Sequence, residues 1–163
     1  MALKSKPYFM VIADTSGSLP TNVGTPTSCG FGTTRGAHLR CTDTFDIAFG
    51  QPFDYGLALS VFTHIPLNSI LQALTNIAKY FAEGGCFYAT YFPGPVGPER
   101  FAPITHSSFE GHGRVTTYAE ANPYHYAFDD FTQLCAHLPL RVESIGDWAH
   151  PRGQHMLRFT RTS

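Results

Sequence analysis

Residues 55 to 92 carry the pattern that most narrows what this chain can become. Tyr55 to Phe62 (Y-G-L-A-L-S-V-F) is a nearly unbroken apolar run of strand length, the kind found in a parallel strand covered on both faces. Pro66 then suits the first turn of a helix, because a helix start has no use for its missing N–H. Leu67, Ile70, Leu71, Leu74, Ile77, Ala78 and Phe81 recur at the spacing of one helical stripe, which reads as core. Gly84-Gly85 is expected to stop that helix by supplying a left-handed residue, and Cys86 to Phe92 (C-F-Y-A-T-Y-F) follows as a second strand. Strand, helix and strand within about 40 residues make a right-handed crossover, which selects a layered α/β sheet.

The rest of the chain is read around that unit. Tyr8 to Ala13 (Y-F-M-V-I-A) has the aromatic and β-branched content of a short buried strand. Thr15 to Gly36 is dominated by Gly, Ser, Thr and Pro without period and reads as loop. His38 to Thr42 is a further short strand candidate, closing on Asp43. Pro93 to Pro123 is long, rich in Gly and Pro and aperiodic, so it is expected to be a loop. Helical pattern returns at Phe128, Phe131, Leu134 and Cys135, with Asp129 and Asp130 in the first turn where the helix dipole favours negative charge. Leu140 to Ile145 and Met156 to Thr160, joined by a Pro/Gly turn, predict a terminal antiparallel hairpin.

Composition excludes several classes of partner. With 163 residues, 43% of them hydrophobic and 14% charged, the chain fits one globular domain with a core of its own. Eleven Lys and Arg against twelve Asp and Glu leave a net charge of −1, no footprint for nucleic acid or an anionic membrane surface. The apolar runs are too short to span a bilayer and the start lacks a secretory h-region, so the protein is expected in the cytoplasm. Cys29, Cys41, Cys86 and Cys135 form no C-x-x-C pair and read as free thiols; no metal site is expected from their spacing or from the scattered His residues.

Four segments together carry a resemblance. F-D-Y-G-L-A-L-S-V-F-T-H-I-P (53–66), the helix and E-G-G-C-F-Y-A-T-Y-F (83–92) look like the second half of a class I S-adenosylmethionine-dependent methyltransferase. V-T-T-Y with N-P-Y-H-Y (115–126) and D-W-A-H-P-R-G-Q-H-M (147–156) are similar to segments of bacterial members of that superfamily. The resemblance covers residues 37 to 161 and implies a partial Rossmann-like sheet, mostly parallel, with a C-terminal antiparallel hairpin. The single domain 1–163 then divides into a divergent, loop-rich segment 1–36 and a methyltransferase-like region 37–161. Position by position, the resemblance implies that Asp43 contacts the adenine edge of S-adenosylmethionine. It places Ser60 and Val61 near the methionine part and His64 where methyl transfer would take place. The family's glycine-rich turn after its first strand has no full counterpart: F-M-V-I-A-D-T-S-G-S (9–18) has one Gly and no amphipathic helix after it.

Ligands of open parallel sheets bind beyond the carboxyl ends of the strands. In this chain that edge gathers Ser60 to Pro66, Phe92 to Pro95, Asn122 to Tyr126 and Trp148 to Arg152. His64 and His150 are the candidate proton acceptors there, and Tyr91, Tyr124, His125, Trp148 and Arg152 the candidate substrate contacts. Each also has a structural reading: His64 as a cap of the following helix, Tyr124 to Tyr126 as packing of the long loop, His150 to Gly153 as a turn. Two functions follow as expectations. One is methyl transfer from S-adenosylmethionine to a small molecule. The other is a non-catalytic ligand-binding or protein-interaction module. The family's fourth strand lies beside its first, so a reduced N-terminal side leaves Tyr55 to Phe62 as an apolar edge, covered either by Tyr8 to Ala13 or by a second copy in a homodimer.

Overall fold

A computed structural model describes residues 45–46, 52–106 and 113–163. Tyr8 to Ala13, the Gly/Thr-rich segment, His38 to Thr42 and Asp43 lie outside the described residues. The elements run β1 (Phe53–Ala58), α1 (Leu67–Tyr80), β2 (Phe81–Pro93), a short 3-10 turn (Pro98–Phe101), β3 (Ile104–His106) and β4 (Val115–Thr117). They continue with β5 (His125–Tyr126), α2 (Phe128–Cys135), β6 (Leu140–Asp147) and β7 (His155–Arg161). The main sheet has the order β1-β2-β7-β6, with β5 adding a short parallel pairing to the end of β2. β1 and β2 are parallel, and β7 is antiparallel to both its neighbours, so β1, β2 and β6 run one way and β7 the other. The architecture is the expected α/β sheet, mostly parallel, with a C-terminal antiparallel hairpin.

Both helices pack on one side of this sheet. Phe87, Ala89, Leu157 and Phe159 face them, fully buried with Ile70, Leu74 and Ile77 of α1. Phe131 of α2 stacks on Phe62 and meets Phe159, Tyr91 and Tyr126 edge-on. Ring pairs of this kind add about 0.5–1.5 kcal/mol each beyond the area they bury. Arg161 donates from Nε to the carbonyl of Ala78 at 2.7 Å, tying the end of β7 to the last turn of α1. α2 begins with the Ala127 N–H donating to Asp130 Oδ2 at 3.0 Å, and Arg100 donates to both oxygens of the same carboxylate at 3.1 Å.

The alternate residues face the other way. Across the sheet Leu57, Tyr88, Arg158 and Glu143 stand in register, as do Tyr55, Cys86, Thr160 and Arg141. On this second face Tyr55 and Leu57 of β1, and Leu59 just past its end, are exposed by 58, 41 and 48%. On β6 it carries charge, with Arg158 donating to Glu143 Oε2 at 2.7 Å.

Several features differ from the sequence expectation. β1 stops at Ala58 rather than Phe62, because Ser60 adopts a left-handed φ of 56° and turns the chain. That turn is fixed by the Ser60 N–H donating to Thr90 Oγ1 at 2.7 Å and Thr63 Oγ1 donating to the Ser60 carbonyl at 2.8 Å. α1 ends at Tyr80, not at Gly84-Gly85: Phe81 already has extended backbone and pairs with Phe53. The residues between Phe81 and Cys86 form an irregularity opposite β1, and Gly84 supplies its positive φ of 79°. Finally, the stretch read as loop from Pro93 to Pro123 contains the β3–β4 hairpin, whose three-residue strands are too short to show a period.

Candidate functional site

The carboxyl ends of β1, β2 and β6 all lie on one edge, and the turn after β1 shapes one end of it. Val61 and Phe62 drop into the core on the helix side, which leaves His64 beyond the strand end. The His64 N–H closes the turn on the Val61 carbonyl at 3.0 Å. Segment 122–126 is fastened to this turn by two bonds: the Tyr124 N–H donates to the Thr63 carbonyl at 2.8 Å, and the buried Tyr126 hydroxyl donates to the Ile65 carbonyl at 2.7 Å. Burial pushes the Tyr126 phenol well above its ordinary range, so it remains a donor. Together these bonds bring Asn122 to His64, with Nδ1 and Oδ1 2.6 Å apart. Pro66, the cap residue of α1, makes no side-chain hydrogen bond, and the His64 ring meets Asn122.

Next to this pair lies a closed polar knot. Ser60 Oγ donates to Gln154 Oε1 at 3.1 Å and Thr90 Oγ1 donates to the same oxygen at 2.7 Å. Gln154 and Thr90 are buried, so these bonds replace water for groups that could not otherwise stay inside. They join the ends of β1, β2 and β7 at one point.

A second network holds the β3–β4 hairpin. His125, buried, is 2.7 Å from the Arg100 carbonyl through Nε2 and 2.9 Å from Thr117 Oγ1 through Nδ1. A carbonyl only accepts, so Nε2 donates; Thr117 Oγ1, which donates to the Ile104 carbonyl at 3.4 Å, meets both His125 Nδ1 and, at 2.9 Å, His106 Nε2. The His106 ring lies against Phe92 at 4.6 Å. Burial, helped by His125 and His155, holds the His106 imidazole below its ordinary range.

The sequence candidates therefore fall into different settings. His64 and Tyr124 are brought together, with Ser60 close by in the same turn. Tyr91 and His125 are buried: Tyr91 packs against Phe131 at 4.9 Å, and burial raises its phenol despite a bond to Ser144. The Val61 side chain is in the core, and Asp43 lies outside the described residues. At the far end of the edge Trp148 stacks near His150 at 5.5 Å, and the Arg152 N–H donates to His150 Nδ1 at 3.2 Å. Burial and the Arg152 charge keep His150 below its ordinary range. Asn122, Thr90, Gln154 and Thr117 were not singled out by sequence reasoning. Gln154 sits inside the quoted 147–156 motif, the one signal that could have pointed to it.

Among the described residues every buried side-chain nitrogen or oxygen has a partner. Gly56, Gly85 and Gly94 are crowded by this chain's own atoms rather than opening onto a ligand cradle. Among the described residues there is no cluster of three His, Cys, Asp or Glu arranged to hold a metal, and no helix long and apolar enough to cross a membrane.

No protein-family model matches the chain, and no curated protein matches it. Solved structures do. An S-adenosylmethionine-dependent methyltransferase from Clostridium acetobutylicum superposes with a TM-score of 0.51 at 10% identity, covering 76% of this chain and 64% of its own. DesVI from Streptomyces venezuelae superposes with a TM-score of 0.50 at 15% identity, covering 78% of this chain and 66% of its own. The chain spans just under two thirds of the length of either structure. Likeness at this identity speaks for the fold alone, and the fold is like that of these methyltransferase structures.

Proposed function

We propose that the chain binds a small polar molecule at the carboxyl edge of its sheet and serves methyl transfer from S-adenosylmethionine to it, in the cytoplasm. The observation that supports this reading most is the His64–Asn122 pair, set just past the end of β1 in a methyltransferase-like fold. An imidazole there accepts the proton of an acceptor hydroxyl or amine, with Tyr124 as the neighbouring wall. At the far end of the edge His150 is the second candidate proton acceptor, with Trp148 and Arg152 as further substrate contacts. Asp43, Ser60 and Val61 are the cofactor contacts that the resemblance implies for this reading. The near-zero net charge favours a small molecule over nucleic acid.

A second reading, a non-catalytic ligand-binding or interaction module that forms a homodimer, is favoured by a different observation. Tyr55 and Leu57 of β1 and Leu59 just past its end are exposed at alternate positions. Two copies of β1 paired antiparallel about Leu57 would set Tyr55 opposite Leu59 and Gly56 opposite Ala58, large against large and small against small.

One experiment separates the two. Purified protein is titrated with S-adenosylmethionine and S-adenosylhomocysteine by calorimetry, and the sedimentation mass of the same sample is recorded. Micromolar binding supports methyl transfer. No binding up to millimolar concentration, with a dimer that Leu57→Glu dissociates, supports the interaction module.

A further inference from the structure

We propose that the loop between β6 and β7 is a binding site for a planar carboxylate, with the Trp148 indole as its flat wall and the Arg152 guanidinium as its anion partner. The chain turns from β6 into β7 at the same edge as the ends of β1 and β2, because β6 runs with them and β7 against them. Three side chains meet in that turn. The Trp148 and His150 ring centroids are 5.5 Å apart, and the Arg152 charge acts on the His150 imidazole, so the imidazole stands beside both the indole and the guanidinium. The loop is held in one shape. His150 Nδ1 accepts the Arg152 N–H at 3.2 Å, Asp147 Oδ1 accepts the Ala149 N–H at 2.9 Å, and the His150 carbonyl accepts the Gly153 N–H at 2.9 Å. Ala149 keeps a left-handed φ of 62°, which a residue with a Cβ holds only where its surroundings enforce it. At the base of the loop, buried Gln154 is joined to Ser60 and Thr90, which anchors the turn to the ends of β1 and β2.

Trp148 and Arg152 are both left exposed by this arrangement. Arg100, Arg141 and Arg158 each face a carboxylate, whereas among the described residues Arg152 makes no ion pair. A guanidinium is a planar fork that meets the two oxygens of a carboxylate with parallel N–H bonds, and an indole offers its face to a flat group. Burial and the Arg152 charge hold His150 below its ordinary range, so at neutral pH the ring adds no second positive charge. One cation matches a monoanion better than a doubly charged phosphate. This deepens the reading of the carboxyl edge as a small-molecule site and rests on it: the acceptor expected is a planar compound that carries a hydroxyl or amine and a carboxylate.

Trp148 is the chain's one tryptophan, so its indole N–H gives a single resonance in the nitrogen-15 spectrum of the full-length protein and reads the site directly. Titrated with para-hydroxybenzoate at neutral pH without S-adenosylmethionine, that resonance is expected to shift saturably, with an affinity about fivefold above that for neutral para-hydroxybenzamide. Arg152→Gln is expected to remove the preference for the carboxylate, and Arg152→Lys, which keeps the charge, to retain part of it. No shift up to about 20 mM hydroxybenzoate overturns the proposal. So does equal binding of acid and amide, or a preference unchanged in an Arg152→Gln protein with native amide shifts. The readout needs no cofactor. A chain that binds hydroxybenzoate but not S-adenosylmethionine loses the methyl-transfer reading alone, and one that binds S-adenosylmethionine but not hydroxybenzoate loses the carboxylate site alone.

Discussion

Phe87 and Phe159 face the helices at 1 and 0% exposure, ringed by Phe62, Phe81 and Phe131. One residue along the same strands, Tyr88 and Arg158 stand on the opposite face in a row with exposed Leu57 and the Glu143 carboxylate. The two faces share a backbone and differ only in which alternate residue each receives. The open face is also not uniform. Toward β6 it is charged, as a solvated face should be, and the Arg158 bonds hold Glu143 below the ordinary carboxylate range. Toward β1 it is apolar. A strand apolar on both sides with one side covered is the signature of a strand adapted to a covered neighbourhood, which is why β1 is the place to look for a partner.

The largest way to test the contrast is to remove one ring from each face. Phe87→Ala is expected to lower unfolding free energy by about 3–5 kcal/mol in urea titration, whereas Leu57→Ala should change it by no more than about 0.5 kcal/mol in the monomer. Equal losses would mean that the open face is covered in solution. Gly56→Ala sharpens the comparison within β1. A Cβ there would come within 2.7 Å of Phe81 Cζ and 2.9 Å of Phe87 Cδ2, so a loss of about 1–3 kcal/mol is expected from a single methyl on the covered side.

The smallest expected effect belongs to the hairpin that rests on the edge of both faces. His106 has a folded-state pKa below its unfolded value, so the unfolded chain binds more protons in that interval. Its contribution to stability is complete above about pH 6.5 and is lost as pH falls toward the folded value. The melting temperature should drop by a few degrees between pH 7 and pH 5, and His106→Gln should flatten part of that slope. A slope that Gln leaves untouched would assign the effect to other groups.

How much of this was legible in the sequence follows from range. The unit β1-α1-β2 and the β6–β7 hairpin are written in local periodicity, and α1 matches its stripe from Leu67 onward. Phe81 continues the stripe numerically but goes extended, because pairing with Phe53 outweighs one more helical residue. The Ser60 turn hides inside an apolar run because its cause, Thr90, is 30 residues away. The site is legible only in half. His64 follows a strand end and is found by position. Asn122 is 58 residues distant and Gln154 lies 94 residues from Ser60 and 64 from Thr90, and a polar residue that acts through long-range bonds leaves no spacing to read.

The position of β7 has a consequence for biosynthesis. It lies between β2 and β6 and pairs with both, so among the described residues β6 has no strand beside it until residues 155–161 have been made. During translation β1, α1 and β2 emerge able to pair, while β6 follows with its edges unsatisfied and the Phe87 side of the sheet still lacks Leu157 and Phe159. Closure of the sheet thus waits for the last strand to insert between two earlier ones, a step dominated by non-local contacts and intrinsically slow. The nascent chain holds its aromatic core open until then, so any chaperone requirement should fall on the interval between synthesis of β6 and release of β7.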